Sequence, residues 1–301
     1  MNSPVTCIVI NWNLEEETLR CLSSIESSTI ACRIILVDNG SSDGSVKEIS
    51  KKFPGVITIQ LPNNIGFGPA CNLGIQYALQ DSECRYILLL NNDAFINPTT
   101  IETLLETTYA YPNAGIFGPI VYDQKKPTHI WYAGAQRRPG ILSAYLYHRG
   151  ELDRGQFLIK NVDYVFGAAM FIRRSVFEEI GLFDERFFLY LEDLDFCLRA
   201  ENAGYALLFV PKARVWHFGS ASTAHNLALR RYHHIRSTIL FLRKYALRLS
   251  LIPAVIFWFL VLLRALLLDL IKGDLSFISS YASAILHGMN ESSRLYGESS
   301  D

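Results

Sequence analysis

The 301-residue sequence predicts an α/β fold with a mostly parallel sheet flanked by helices, and three observations carry that expectation. Short apolar, β-branched runs recur through the N-terminal third. Segments of helical character separate them. The runs end in polar residues, as strands do when ligands bind beyond the carboxyl ends of a sheet that helices cover on both faces.

The first strand is read at 5–10 (Val-Thr-Cys-Ile-Val-Ile), followed by Asn11-Trp12-Asn13 and a helix near 14–27. The second, Arg-Ile-Ile-Leu-Val at 33–37, runs into Asp38-Asn39-Gly40-Ser41-Ser42-Asp43, where Ser42 or Asp43 is placed to cap a helix near 43–52. Strands at 56–61 and 86–90 bracket a helix near 67–80, and Asn91-Asn92-Asp93 leads from the latter strand to a helix near 98–110. Further on, 114–122 reads as a strand, roughly 132–155 as a Gly- and Tyr-containing loop, and Tyr164 to Ile172 as an apolar stretch. Loops of that length are often binding elements. Taken singly, each polar strand end is ordinary turn chemistry. Three of them on one sheet edge make a candidate site.

Half of the residues are hydrophobic, enough for a sizeable core, and the formal net charge of -1 hides a segregation. Residues 1–201 carry 17 basic and 24 acidic side chains, whereas 202–268 hold nine Lys or Arg and no carboxylate. A basic block beside an apolar run suits an anionic membrane surface and argues against a nucleic-acid partner. The six cysteines (7, 21, 32, 71, 84 and 197) form no C-x-x-C pair, and several lie inside apolar runs, as expected in a reducing compartment. The N-terminus enters a strand without the basic start of a signal peptide, so no secretion is expected.

Val37-Asp38-Asn39-Gly40-Ser41-Ser42-Asp43 is followed by Asn64-Ile65-Gly66-Phe67-Gly68 with Asn72 and Gly74, and then by Asn91-Asn92-Asp93. Downstream come the acidic run Leu189-Tyr190-Leu191-Glu192-Asp193-Leu194-Asp195, continuing to Ala200, then Gly204-Tyr205 and Trp216-His217. In this order and spacing the sequence resembles the inverting GT-A-fold glycosyltransferases of the family 2 type, most of all their bacterial rhamnosyltransferase branch. The resemblance implies a GT-A, Rossmann-like fold. It also implies transfer of a sugar from a nucleotide-diphosphate donor with a divalent cation, Mn2+ or Mg2+, as cofactor. It makes Asp193 the general base with Glu192 beside it, and Asp93 and His217 the metal ligands. Asn11, Trp12, Asp38, Asn64, Gly66, Asn72, Asn91 and Asn92 become donor-binding residues, with Asp38 on the nucleobase.

The chemistry fits those residue types. Breaking a sugar–phosphate bond leaves a diphosphate of growing negative charge, which a cation held by oxygen ligands neutralises. Asn91 stands where the family's Asp-x-Asp motif has its first Asp, which removes one charge and leaves Asn91 for the ribose. An imidazole among oxygen ligands suits Mn2+ somewhat better than Mg2+, although apart from the resemblance a lone His beside Trp216 is more commonly a core or interfacial histidine. Glu192, Asp193 and Asp195 lie at a helix start, where the dipole favours anions, and helical spacing turns Glu192 and Asp195 to a similar face, away from Asp193. Helix capping is the other reading of Glu192, and an i,i+4 ion pair with Arg199 that of Asp195. Trp12 packs on the base or belongs to the core. Gly66 and Gly68 allow close backbone approach. Gly167-Ala168-Ala169 make a wall of the sugar pocket or simply pack tightly.

The chain divides into a GT-A domain at 1–222 and a basic, hydrophobic helical membrane-associating region at 223–301. From Leu227 a helix carries Ile235, Ile239, Leu242, Ala246 and Leu249 on one stripe and Arg230, Lys244 and Arg248 on another, an interfacial pattern. The uncharged run 249–263 falls short of the roughly 20 residues a span needs, and Arg264 closes it. Peripheral or monotopic attachment at the cytoplasmic face is the expectation; burial against the α/β domain or a second subunit, giving a homo-oligomer, is the alternative. The expected reaction moves L-rhamnose from dTDP-L-rhamnose to a hydroxyl of a lipid-linked glycan in bacterial surface polysaccharide synthesis. Galactosyl, galactofuranosyl or N-acetylhexosaminyl transfer from a UDP-sugar, and a non-catalytic sugar-nucleotide-binding scaffold, are the alternatives. A nucleotidyltransferase would need a Gly-rich, Arg-containing loop after the first strand, and a processive synthase a Gln-x-x-Arg-Trp motif; the sequence has neither.

Overall fold

The computed structural model describes residues 3–138, 143–219, 227–245, 252–271 and 276–290. Ala246, Arg248 and Leu249 of the expected interfacial stripe lie outside the described residues. The first half alternates strand and helix: β1 (Val5–Asn11), α1 (Glu15–Glu26), β2 (Arg33–Asp38), α2 (Ser45–Lys52), β3 (Ile57–Gln60), α3 (Phe67–Leu79) and β4 (Tyr86–Asn91). These strands pair in parallel, in the order β4-β1-β2-β3. Every residue of β1 is buried, which explains why its side chains from Cys7 to Ile10 are all apolar. Register sets Asn11 opposite Asp38 and Ile10 opposite Asn91, so the polar strand ends share one edge.

The second half corrects the expectation of a mostly parallel sheet. It contains β5 (Ala94–Ile96), α4 (Thr100–Ala110), β6 (Ala114–Asp123), β7 (Lys126–Tyr132), β8 (Ala135–Arg138) and β9 (Ser143–Leu146), then β10 (Lys160–Asn161), β11 (Ala169–Arg173), α5 (Arg174–Ile180), α6 (Glu192–Asn202) and β12 (Ala206–His217). Strand β11 enters antiparallel between β4 and β6, and β12 runs parallel to β6 but antiparallel to β5 and β10, giving a mixed ten-stranded sheet. Because β11 runs opposite to β4, its start meets the end of β4: Ala169 pairs with Leu90, and the Asn91 amide donates to the Ala168 carbonyl at 3.0 Å. Residues 164–168 are thereby delivered to the functional edge.

The region read as one loop at 132–155 also differs, for β8 and β9 form an antiparallel hairpin within it. Gly134, at φ +90, makes the turn from β7 into this hairpin, and a Cβ there would meet Val162 Cγ1 at 2.8 Å. The cap of α2 is Gly44 (φ +85); Asp43 instead accepts the Ser45 amide at 3.0 Å.

After β12 come α7 (Leu227–Tyr245), α8 (Ile252–Ile271) and α9 (Ser276–Asn290). Leu240, Phe241 and Tyr245 of α7 join the main core, while Ile235 packs with Tyr281 and Ala284 of α9. Lys244, expected on the basic stripe of an interfacial helix, turns inward: its Nζ lies 2.6 Å from Asp195 Oδ1 and 2.7 Å from Asp184 Oδ2. The buried Asp195 carboxylate, which also accepts from Arg199 Nε (2.9 Å) and the Tyr245 hydroxyl (2.7 Å), requires such cationic company. Among the described residues no helix is long and apolar enough to cross a membrane.

Candidate active site

A cavity of about 440 Å³ opens over the carboxyl ends of β1 and β4. It is lined by Trp12, Asn64, Gly66, Asn91, Asn92, Asp93 and His217, by Tyr164, Gly167, Glu192 and Asp193, and by Leu229, His233 and His234 of α7. Among the described residues six buried side-chain polar atoms lack a hydrogen-bond partner. Five of them, Asn91 Oδ1, Tyr190 Oη, Glu192 Oε2, His217 Nδ1 and His233 Nδ1, belong to residues lining this cavity. Since buried polar groups are normally paired, such a concentration marks where a polar ligand sits.

His217 closes β12 and Asp93 follows β4; His217 Nε2 stands 3.0 Å from Asp93 Oδ1 and 3.3 Å from Asn91 Nδ2. The rings of Trp131 and Phe166 meet the imidazole edge-on. Among the described residues no group of three or more His, Cys, Asp or Glu could hold a metal ion by itself. A carboxylate, an imidazole and the unpartnered Asn91 carbonyl nonetheless fit a divalent cation whose remaining positions are taken by a ligand's oxygens or water.

The start of α6 presents two adjacent carboxyls to the same cavity. Asp193 Oδ2 accepts from the Tyr164 hydroxyl at 2.5 Å and the Gly167 amide at 2.9 Å, and Oδ1 from the Leu194 amide at 2.8 Å. A Cβ on Gly167 would lie 2.7 Å from Asp193 Oδ2, so only glycine permits this contact. Burial raises the Asp193 pKa above its ordinary value, against the lowering effect of those donors. Glu192 is pushed well above the usual range, first by burial and then by the Asp193 charge. Tyr190 (φ 70) and Leu191 (φ 68) enter the helix in the left-handed region, which costs about 1 to 2 kcal/mol per residue and fixes how the carboxyls are aimed.

The glycosyl transferase family 2 model matches residues 6–181, which takes in the parallel half of the sheet with Asp93 and the Tyr164–Gly167 segment, while Glu192, Asp193 and His217 lie beyond the match. The chain belongs to glycosyl transferase family 2. This family 2 glycosyltransferase is similar to N-acetylglucosaminyl-diphospho-decaprenol L-rhamnosyltransferase of Mycobacterium tuberculosis, at 27% identity over 80% of this chain and 85% of that protein. It is likewise similar to the dTDP-rhamnosyl transferase RfbF of Shigella flexneri, at 27% identity over 81% of each chain. Among solved structures it shares its fold with the crystal structure of GalNAc-T7 with UDP, GalNAc and Mn2+ (TM-score 0.56, 16% identity), over 71% of this chain and 43% of that one.

The transferase does not put all of the expected donor residues on the cavity wall. Trp12, Asn64, Gly66, Asn91 and Asn92 line it. Asn11 and Asp38 sit behind it: the Asn11 amide lies 2.8 Å from Asp38 Oδ1 and 2.9 Å from Ser45 Oγ, locking two strand ends together. Asn72, buried in α3, donates to the Phe183 carbonyl and accepts its amide, both at 2.9 Å, and so anchors the segment leading to α6. Asn92 lines the cavity, yet its amide is committed to Thr18 (2.9 Å) and the Asn13 carbonyl (3.2 Å). Sequence reading did not single out Asn39, which holds the Asn64–Gly66 turn through its own amide, or Tyr164, which reaches Asp193. Position at a strand end was a signal for Asn39. Tyr164 carried none, lying in an apolar stretch.

Proposed function

We propose that this family 2 enzyme transfers a sugar, with dTDP-L-rhamnose as donor, to a hydroxyl of a lipid-linked glycan with inversion at the anomeric carbon. The observation that carries the reading is one cavity lined by both the Asp93–His217 pair and the Glu192–Asp193 pair. Asp93 and His217 would hold a divalent cation, which when bound offsets the charge growing on the leaving diphosphate. Asp193 takes the acceptor hydroxyl proton as the new O–C1 bond forms and the C1–O bond to phosphate breaks, releasing the nucleoside diphosphate. Tyr164 and Gly167 hold its carboxylate in line for that attack. Rhamnose is favoured over a UDP-sugar because two similar curated proteins, at 27% identity over most of their length, are rhamnosyltransferases. Attachment at the cytoplasmic face of a membrane, through the exposed apolar side chains of α8, would bring enzyme and lipid-borne acceptor together.

The test is incubation with dTDP-L-rhamnose, and separately with UDP-galactose, in the presence of a polyprenyl diphosphate N-acetylglucosamine acceptor. Product formed from the rhamnose donor alone, with inverted anomeric configuration by its C–H coupling in NMR, is expected. Transfer from UDP-galactose alone would overturn the donor assignment, and retained configuration the single-base mechanism.

A further inference from the structure

The cavity lining extends beyond the residues expected to hold the donor and the cation. Tyr190, just before the carboxyls of α6, and His233 and His234 of α7 also line the cavity, and none of them belongs to the expected donor or cation set. In an inverting displacement the incoming hydroxyl approaches from the face opposite the leaving diphosphate, and Tyr190 stands three residues before Asp193 in the left-handed entry to α6.

The chemistry of this corner is that of a sugar site. Phe188 and His233 stack with ring centroids 4.5 Å apart and planes within 10°. Such a flat rim suits the C–H face of a pyranose, and the His234 ring leans on Tyr190 at 5.6 Å. Polar capacity lies beside it unused, because His233 Nδ1 and the Tyr190 hydroxyl are buried without partners. Burial lowers the His233 pKa to about 4, with Arg236 adding to the effect, so the ring is neutral and matches a hydroxyl rather than an anion. The corner is also held in shape. Ser237 donates to the Leu189 carbonyl at 2.7 Å, Arg236 to the Arg186 carbonyl at 3.0 Å, and the Phe67 amide to the Phe188 carbonyl at 2.8 Å.

We propose that Tyr190, His233 and the Phe188–His233 stack form the acceptor subsite, which takes a sugar ring by its flat face and hydrogen-bonds its hydroxyls. The assignment deepens the transfer reading and rests on it. It gives α7 a role in choosing the acceptor, besides any role at a membrane.

The probes are n-octyl glycosides of glucose, galactose, rhamnose and N-acetylglucosamine, followed by saturation-transfer NMR in the presence of dTDP and Mn2+. Wild type, Tyr190→Phe and His233→Phe are compared, the last keeping the stack and losing the nitrogens. We expect saturation of sugar ring protons in at least one glycoside and affinity about tenfold weaker in each variant, as for loss of one buried hydrogen bond. The affinity for dTDP should stay within about twofold of wild type. Melting curves check that each variant is folded, and His233→Gln, which restores a polar group, should recover part of the lost affinity. Glycoside binding equal in all proteins, or absent from wild type while dTDP binds, overturns the subsite and leaves the donor reading standing. Loss of dTDP binding along with glycoside binding places these residues in the donor half and also overturns it. Failure of wild type to bind dTDP at all counts instead against the transfer reading.

Discussion

Glu192 and Asp193 are neighbours in sequence but not in circumstance. Asp193 is held by three donors, whereas Glu192 keeps one oxygen without a partner. Asp193→Asn should cut the rate of transfer by about a thousandfold or more, the scale of a lost general base, while nucleotide affinity stays within about twofold. Loss of nucleotide binding in that variant would remove Asp193 from the base role. Glu192 gives a stability test. Its folded pKa lies above the unfolded value, so the folded state holds its proton more tightly, and that advantage is lost as pH rises through the folded pKa. Glu192→Gln keeps the shape without the charge and should therefore raise the melting temperature at pH 8 more than at pH 5. Equal shifts at the two pH values would show that the buried charge is not what costs stability. Asp93, His217, Glu192 and Asp193 were singled out through the resemblance to the family, and the fold brings all four to one cavity. Whether a side chain faces the ligand or braces a strand was not legible in the sequence, because Asn11, Asp38 and Asn72 find partners 27 to 111 residues away.

The segment 186–191 between α5 and α6 is clamped on both sides, and that is where element-scale substitutions should act. Gly66 adopts φ +100, and a Cβ there would lie 2.6 Å from the Phe188 carbonyl oxygen. Gly66→Ala should destabilise the protein by about 1 to 2 kcal/mol from the left-handed backbone alone, and should weaken nucleotide binding as the segment shifts. An unchanged melting curve with unchanged nucleotide affinity would show that the segment tolerates displacement. Lys244→Met removes one cation from Asp195, which keeps Arg199 and Tyr245, and a loss on the order of 1 to 3 kcal/mol is expected by chemical denaturation. The alternation of strands and helices through β4 could be read from apolar runs, with boundaries close to those observed. The reversal of β11 could not, since an apolar run has no direction. Nor could the β8–β9 hairpin, whose strands of four residues are too short to impose a period on the sequence. The inward turn of Lys244 was hidden for a further reason, because its partners Asp184 and Asp195 are brought to it only by the docking of α7.

At the scale of the whole molecule, one end of the cavity is built by the sheet and the other by α7, and α8 beyond it exposes Ile256, Phe259, Leu260, Leu263 and Leu267. A surface of that kind is costly in water. Replacing Phe259, Leu260 and Leu267 together by Glu should abolish flotation with vesicles containing anionic lipid while leaving nucleotide affinity unchanged. Flotation that persists would move the attachment elsewhere. The most direct test of the active-site reading is a thermal-shift panel of dTDP- and UDP-sugars on the wild type and on Asp93→Ala, with Mn2+ and with a chelator. The predicted result is stabilisation of wild type by a dTDP- or UDP-sugar with Mn2+, lost with the chelator and absent from Asp93→Ala. No shift with any nucleotide sugar under either condition, or a shift that Asp93→Ala preserves in full, would contradict it.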